Sequence, residues 1–251
     1  MSRRIIEQAD PRSAESSRME LMSKPEGILL LWDIDGTLLS AKGAGPMAFD
    51  RATLEHFGYE IPITSIDWPG ATDYAIAYAL LEKAGRTVTR EEAQELINRY
   101  LSYLPEMLDA TNARAIDGTQ ELLEHFHEHG SVHQGLLTGN VRRGADIKLG
   151  YLGVDHYFQF GAFADHSDHR NDLSRHAFDL AREHLHSDWS SEQIYVIGDT
   201  PKDIECGKVI GAHTVAVATG HHSADELQQH GPSMLFETFA DPSVLIDFLE
   251  L

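Results

Sequence analysis

One cysteine, Cys206, is all that the 251 residues contain. No internal disulfide is possible, and no Cys-based zinc cage can form. The expectation is a reducing, cytoplasmic compartment. Basic residues are scarce as well: 20 Lys and Arg stand against 40 Asp and Glu, a formal net charge of -20. Such a chain repels phosphate backbones, which argues against a nucleic-acid partner. A phosphorylated substrate would need a local cation to overcome that field. No apolar run approaches the ~20 residues of a membrane span, so no membrane partner is expected. Arg3 and Arg4 lack the apolar stretch that would make a secretory signal behind them. What remains, with 42% hydrophobic and 24% charged residues, is an ordinary soluble globular composition. The length suits one large domain, or one domain carrying an insertion.

Residues 1–24 are polar and without period, and read as a mobile tail with a short helix near Ser17 to Met22. Then comes the continuous apolar run Ile28 to Trp32, ending in Asp33. A short run buried on both faces fits a central parallel strand. Similar runs follow at Val132 to Leu137, Phe158 to Phe163, Ile194 to Ile197 and Thr214 to Ala218, with helical patterns between them. That alternation predicts a Rossmann-like, doubly wound α/β fold with a parallel sheet, in two stretches, 25–43 and 113–251. Met234 to Phe236 reads as an edge strand. Residues 44–112 break the rhythm. Pro46–Phe57, Asp73–Ala84 and Thr89–Leu108 read as helices, punctuated by Gly58, Pro62, Pro69, Gly70 and Gly85. A small all-helical cap inserted after the first core strand is the expectation.

Three strand ends carry polar signatures. Asp33-Ile34-Asp35-Gly36-Thr37 follows the first strand, where ligands bind in open α/β sheets. Thr138-Gly139-Asn140 follows a second strand, and a hydroxyl plus free N–H groups at a helix start is a small anion cradle. Gly198-Asp199-Thr200-Pro201-Lys202-Asp203 follows a third, with Pro201 suited to a first helical position. Together these set Asp33, Asp35, Asp199 and Asp203 around one pocket. Carboxylates this close repel unless some are protonated or a cation sits among them. Hard oxygen donors in an open site favour Mg²⁺.

The DxDGT and GDTPxD motifs, in this order and at this separation, resemble the haloacid dehalogenase superfamily. Within it, the chain resembles phosphoglycolate-phosphatase-like hydrolases with a helical cap. Ala41 to Ala48, Gly70 to Asp73 and Arg170 to Leu173 share that likeness. The resemblance implies a Mg²⁺-dependent phosphatase acting on a small phosphorylated metabolite, as a monomer or homodimer. It makes Asp33 the nucleophile that becomes an aspartyl-phosphate. Asp35 is the general acid and base, with its backbone carbonyl on the metal. Thr138 holds a phosphoryl oxygen beside Gly139 and Asn140, and Asp199 completes the metal site with Asp203 next to it. The superfamily usually places a lysine before the helix that precedes the GDxxxD strand. No lysine lies between Lys148 and Lys202, and Arg170 stands in that loop instead. A guanidinium can bridge Asp33 and phosphate through its fork.

A phosphomutase, a metal-independent dehalogenase and a non-catalytic phospho-ligand binder remain alternatives, although a dehalogenase would lack Asp35. The 15 histidines invite a metal reading. The cluster His125, His127, His129 and His133 is better read as a solvated helix end. Cys206 reads as a packed residue rather than a nucleophile. Thr72-Asp73 reads as a helix cap, and Trp68, Tyr74 and Tyr78 as packing within the insertion.

Overall fold

The computed structural model describes residues 27–250. The expected tail, 1–24, and its short helix lie outside the described residues. Six parallel strands form one sheet: β1 (Ile28–Trp32), β4 (Val132–Leu137), β5 (Gly161–Ala162), β6 (Ile194–Gly198), β7 (His213–Val217) and β8 (Met234–Phe236). Their order is β5-β4-β1-β6-β7-β8, so β1 lies between β4 and β6. The α/β fold is the one expected.

The continuous apolar run of β1 has a direct cause. Side chains alternate across a strand. Leu30 and Trp32 enter the cluster that also holds Leu122 and Phe126 of α4 (Thr119–Glu128). Leu29 and Leu31 enter the opposite cluster, with Leu173, Ala177 and Ala181 of α6 (Arg170–Leu185). Both faces are covered, so no position on the strand is left for a polar residue.

The expected strand over Phe158 to Phe163 is shorter than its apolar pattern. Asp155–Tyr157 turns as a 3-10 helix, and only Gly161 and Ala162 pair with β4. The Phe160 ring occupies the space a side chain would need at Gly135, while the Gln159 N–H donates to the Gln134 carbonyl at 3.2 Å and the Phe160 carbonyl accepts from the Leu136 N–H at 3.0 Å. A second difference concerns α6. It begins at Arg170. Arg170, expected in a loop, is therefore the first residue of a helix.

Two short antiparallel strands, β2 (Leu39–Ser40) and β3 (Arg114–Ala115), pair Leu39 with Ala115 and Ser40 with Arg114. Between them run α1 (Ala44–Phe57), α2 (Asp73–Lys83) and α3 (Arg90–Ala110), with no strand among the described residues of that interval. The buried positions of α3 are Ala93, Leu96, Ile97, Tyr100, Leu101, Leu104 and Leu108. That is the stripe of an amphipathic helix. Phe49 of α1 stacks on Tyr100 of α3 with ring centroids 4.0 Å apart. The apolar residues of these helices join those of the sheet in one cluster. Among the described residues no helix is long and apolar enough to cross a membrane.

The candidate active site

Asp33 and Asp35 follow β1, Thr138 to Asn140 follow β4, and Asp199 to Asp203 follow β6. Because the three strands are parallel neighbours, their polar ends converge. Asp33 still belongs to the ladder through its N–H, which donates to the Ile197 carbonyl at 2.9 Å. Beyond it the chain turns sharply. Gly36 has φ +81°, and a Cβ there would lie 2.3 Å from the Asp199 carboxylate. A Cβ on Gly220 would lie 1.7 Å from the same carboxylate. Glycine at both positions lets the backbone close around Asp199.

Asp33, Asp199 and Asp203 are buried, and each offers an oxygen within 4.8 Å of the others. It is the one such His, Cys, Asp or Glu grouping among the described residues. His133, expected at a solvated helix end, is instead half-buried in β4 against the Trp189 ring, because its strand is covered on that side. Burial pushes the Asp33 carboxyl up to about 6, against the pull of Arg170, with Asp203 and Asp35 adding to the rise. Burial, then Asp203 and Asp33, hold Asp199 well above the carboxylate range. Asp203 is more fully engaged. Its Oδ2 accepts from the Thr200 N–H at 3.0 Å and the Thr200 hydroxyl at 2.7 Å. Its Oδ1 meets the Arg170 guanidinium.

Arg170 answers these acids. Its Nη2 lies 3.1 Å from Asp33 Oδ1 and also contacts Asp203, while Nη1 donates to the Gly70 carbonyl at 3.2 Å. Asp168 and Asp172, its neighbours in sequence, are not its partners. Arg175 pairs with Asp172 at the surface instead. The Arg170 Nε is buried without a hydrogen-bond partner. Cys206 sits beneath, its thiol donating to the Arg170 carbonyl at 3.2 Å, and burial pushes that thiol up to about 12. It is packed in the core, as expected.

Asp35 stands apart from the trio. Its Oδ2 accepts from Lys148 at 2.5 Å and from the Asn140 amide at 2.9 Å. Lys148 is 3% exposed and also donates to Asn140 Oδ1 at 2.5 Å. Burial works against its charge, but Asp35, Tyr100 and Asp73 outweigh that and raise its pKa. Thr138 is fully buried and does not border the cavity, whereas Gly139 and Asn140 do. Its Oγ1 accepts from the Asn140 amide at 2.8 Å.

Two residues escaped the sequence reading. Lys148 lies before the segment in which the resemblance implies a basic residue. Its signal was available: with Ala145, Leu149 and Leu152 it occupies the apolar stripe of α5 (Arg142–Leu152). A charge on a buried stripe needs a partner. Asp73 was assigned to a helix cap. Thr72 is the cap, accepting from the Ala75 N–H at 3.1 Å, while the Asp73 carboxylate accepts from the Val141 N–H at 2.8 Å. Asp73 thus satisfies the start of α5, whose own preceding residue, Val141, has no side chain able to do so. No pattern local to Asp73 could reveal a partner 68 residues away. Further bonds fix the same loop: Asp73 N–H to the Gly139 carbonyl at 2.8 Å, Thr72 Oγ1 to the Asp168 carbonyl at 2.8 Å, and Lys202 Nζ to the Pro69 carbonyl at 2.8 Å.

Residues 30–217 match the profile of haloacid dehalogenase-like hydrolases. The chain belongs to that family. Its match to the phosphoglycolate phosphatase of Colwellia psychrerythraea is 24% identical over 241 residues, covering 87% of this chain and 96% of the relative. The pyrophosphatase PpaX of Anoxybacillus flavithermus is 23% identical over 212 residues, covering 84% and 93%. A solved hydrolase from Pseudomonas syringae superposes with a TM-score of 0.69 at 21% identity, covering 88% of this chain and 98% of that one. Membership makes the chain a hydrolase of the haloacid dehalogenase type, and its subgroup likeness is to phosphoglycolate phosphatases.

Proposed function

We propose that this hydrolase is a Mg²⁺-dependent phosphatase that cleaves a small phosphomonoester through an aspartyl-phosphate on Asp33. The observation that carries the reading is the buried Asp33 carboxylate, held on one oxygen by Arg170 at 3.1 Å and flanked by Asp199 and Asp203. The donor set fits a hard divalent cation: buried carboxylates, two of them raised by burial and by neighbouring acids. Asp33 and Asp199 would hold it, with the Asp35 carbonyl, while Asp203 fixes Arg170 and Thr200 beside them. When bound, Mg²⁺ neutralises these acids and the phosphoryl oxygens.

The protein's own groups then divide the work. An Asp33 oxygen forms the new bond to phosphorus as the ester oxygen leaves, and Asp35 delivers the proton that oxygen needs. Asp35 next takes a proton from water. That water attacks phosphorus, the bond to Asp33 breaks, and inorganic phosphate departs. Lys148 and Asn140 fix Asp35 by Oδ2 and leave Oδ1 to exchange the proton. Arg170 steadies Asp33 and meets charge on the transferring group. Gly139 and Asn140 line the cavity where a phosphoryl oxygen would sit, and Thr138 accepts from the Asn140 amide and so orients it. Residues 44–112 act as a cap that excludes water from this step. The relatives and the single cysteine favour a small phosphorylated metabolite of the cytoplasm as substrate.

The test is phosphate release from a panel of phosphomonoesters, with Mg²⁺ and after chelation, for the wild type and Asp33→Asn. Chelation and the substitution are each expected to abolish turnover with the fold retained. Undiminished release in either arm would overturn the assignment.

A further inference from the structure

The cavity at Asp33 and Asp35 has a volume of about 330 Å³, and its two sides differ in chemistry. One side carries the charged groups described above. The helical insertion supplies the apolar residues Phe49, Ile63, Trp68, Ile76 and Tyr100, and with them the carboxyl of Asp73. Five carboxylates gather here, Asp33, Asp35, Asp73, Asp199 and Asp203, against two buried cations, Arg170 and Lys148. Both cations are committed. Arg170 holds Asp33 and Asp203, and Lys148 holds Asp35 and Asn140. The remaining lining cation, Lys42, and the imidazole of His221 are exposed at the rim.

Even with Mg²⁺ offsetting part of that charge, a carboxylate on the leaving alcohol would enter a site rich in acids, with no uncommitted buried cation among the described residues lining it. A two-carbon alcohol would also leave the apolar wall unfilled, in a cavity within the range of about 300–1,000 Å³ typical of whole metabolites. We propose that the substrate is the phosphomonoester of an uncharged alcohol whose carbon skeleton lies on the Phe49, Ile63, Ile76 wall, and not the ester of a short hydroxy acid. This rests on the phosphatase reading above. It separates the chain from the compound in the Colwellia relative's name.

The experiment uses the full chain with Mg²⁺ and measures kcat/KM for ethyl, butyl and 2-phenylethyl phosphate and for 2-phosphoglycolate, all primary-alcohol esters. The apolar series is expected to rise by about fourfold for each methylene buried on the wall. The 2-phenylethyl ester is expected to exceed 2-phosphoglycolate by at least about tenfold. Lys42→Ala is expected to leave that ratio unchanged. A flat series, a preference for 2-phosphoglycolate, or a selective loss of 2-phosphoglycolate turnover in Lys42→Ala would overturn the inference while leaving a phosphatase. No phosphate from any ester, p-nitrophenyl phosphate included, would overturn the phosphatase reading and this inference with it.

Discussion

Arg170 is 9% exposed and Asp33 and Asp203, its two partners, are buried more deeply still. Removing one member of a buried ion group costs more than the group contributes, because the remaining charges stay desolvated. Arg170→Ala is therefore expected to do two things. Turnover should fall by about 10²–10³, the usual result of losing one preorganised electrostatic contact. Stability of the metal-free protein should fall by about 3–5 kcal/mol, read from denaturant melts. Arg170→Lys restores charge without the fork and should recover part of each. Wild-type turnover in Arg170→Ala would remove the residue from the mechanism. Lys148 poses the same question for Asp35. Lys148→Met keeps the length and apolar stem on the α5 stripe but withdraws the ammonium from Asp35 and Asn140. It should lower turnover most for alkyl esters, whose poor leaving groups need a positioned proton donor, and least for aryl esters. Equal losses for both ester types would mean that Lys148 does not act through Asp35.

The seam between the helical insertion and the sheet is where the elements depend on one another. The Asp73 carboxylate closes the open start of α5, and burial pushes it up to about 7 from an ordinary 3.8, with Lys148 and the Val141 N–H opposing the rise. The sign follows. Between about pH 4 and 7 the folded chain keeps a proton that the unfolded chain has released, so this group's stabilisation is full below that window and lost across it. The slope is at most about 1.4 kcal/mol per pH unit. Asp73→Asn cannot ionise, yet its amide oxygen can still accept from Val141. The variant should lose less stability than the wild type between pH 5 and pH 8 in denaturant melts. An unchanged slope would place the titration elsewhere. The same seam marks the limit of what the sequence discloses. Strand ends with aspartates, an apolar central run and a capped Pro201 helix are local patterns, and they pointed to Asp33, Asp35, Asp199 and Asp203. Arg170 was found because the resemblance to the superfamily implies a lysine in that loop, although the helix begins a turn earlier than its apolar period suggests. Asp73 and Lys148 owe their roles to partners distant in sequence, and only the packing of α3 against α5 and the Asp73 bond to Val141 bring them to one site.

At the scale of the whole molecule, a chain of charge -20 folds with acids buried at one end of its central sheet. Burial and mutual repulsion raise Asp33 to about 6 and Asp199 well above its ordinary value, so the metal-free protein gains stability as acid neutralises them. For Asp33 that gain is full below about pH 4 and lost as pH rises through about 6. A divalent cation among these carboxylates gives the same relief without protons, so Mg²⁺ and H⁺ compete. Mg²⁺ at a hundredfold excess over its Kd stabilises by about 2.7 kcal/mol. For a chain of this size that is a rise in Tm of about 5–10 °C. Because the insertion and the sheet share one apolar cluster, the rise should appear as a shift of a single transition. It should be large at pH 8 and smaller at pH 5.5, where protons already occupy the site. Surface screening of so acidic a chain is the competing cause, and two controls separate it. NaCl at matched ionic strength should reproduce little of the shift, and Asp199→Asn should abolish most of it. An equal shift in Asp199→Asn would mean that Mg²⁺ acts on the surface charge and not among Asp33, Asp199 and Asp203.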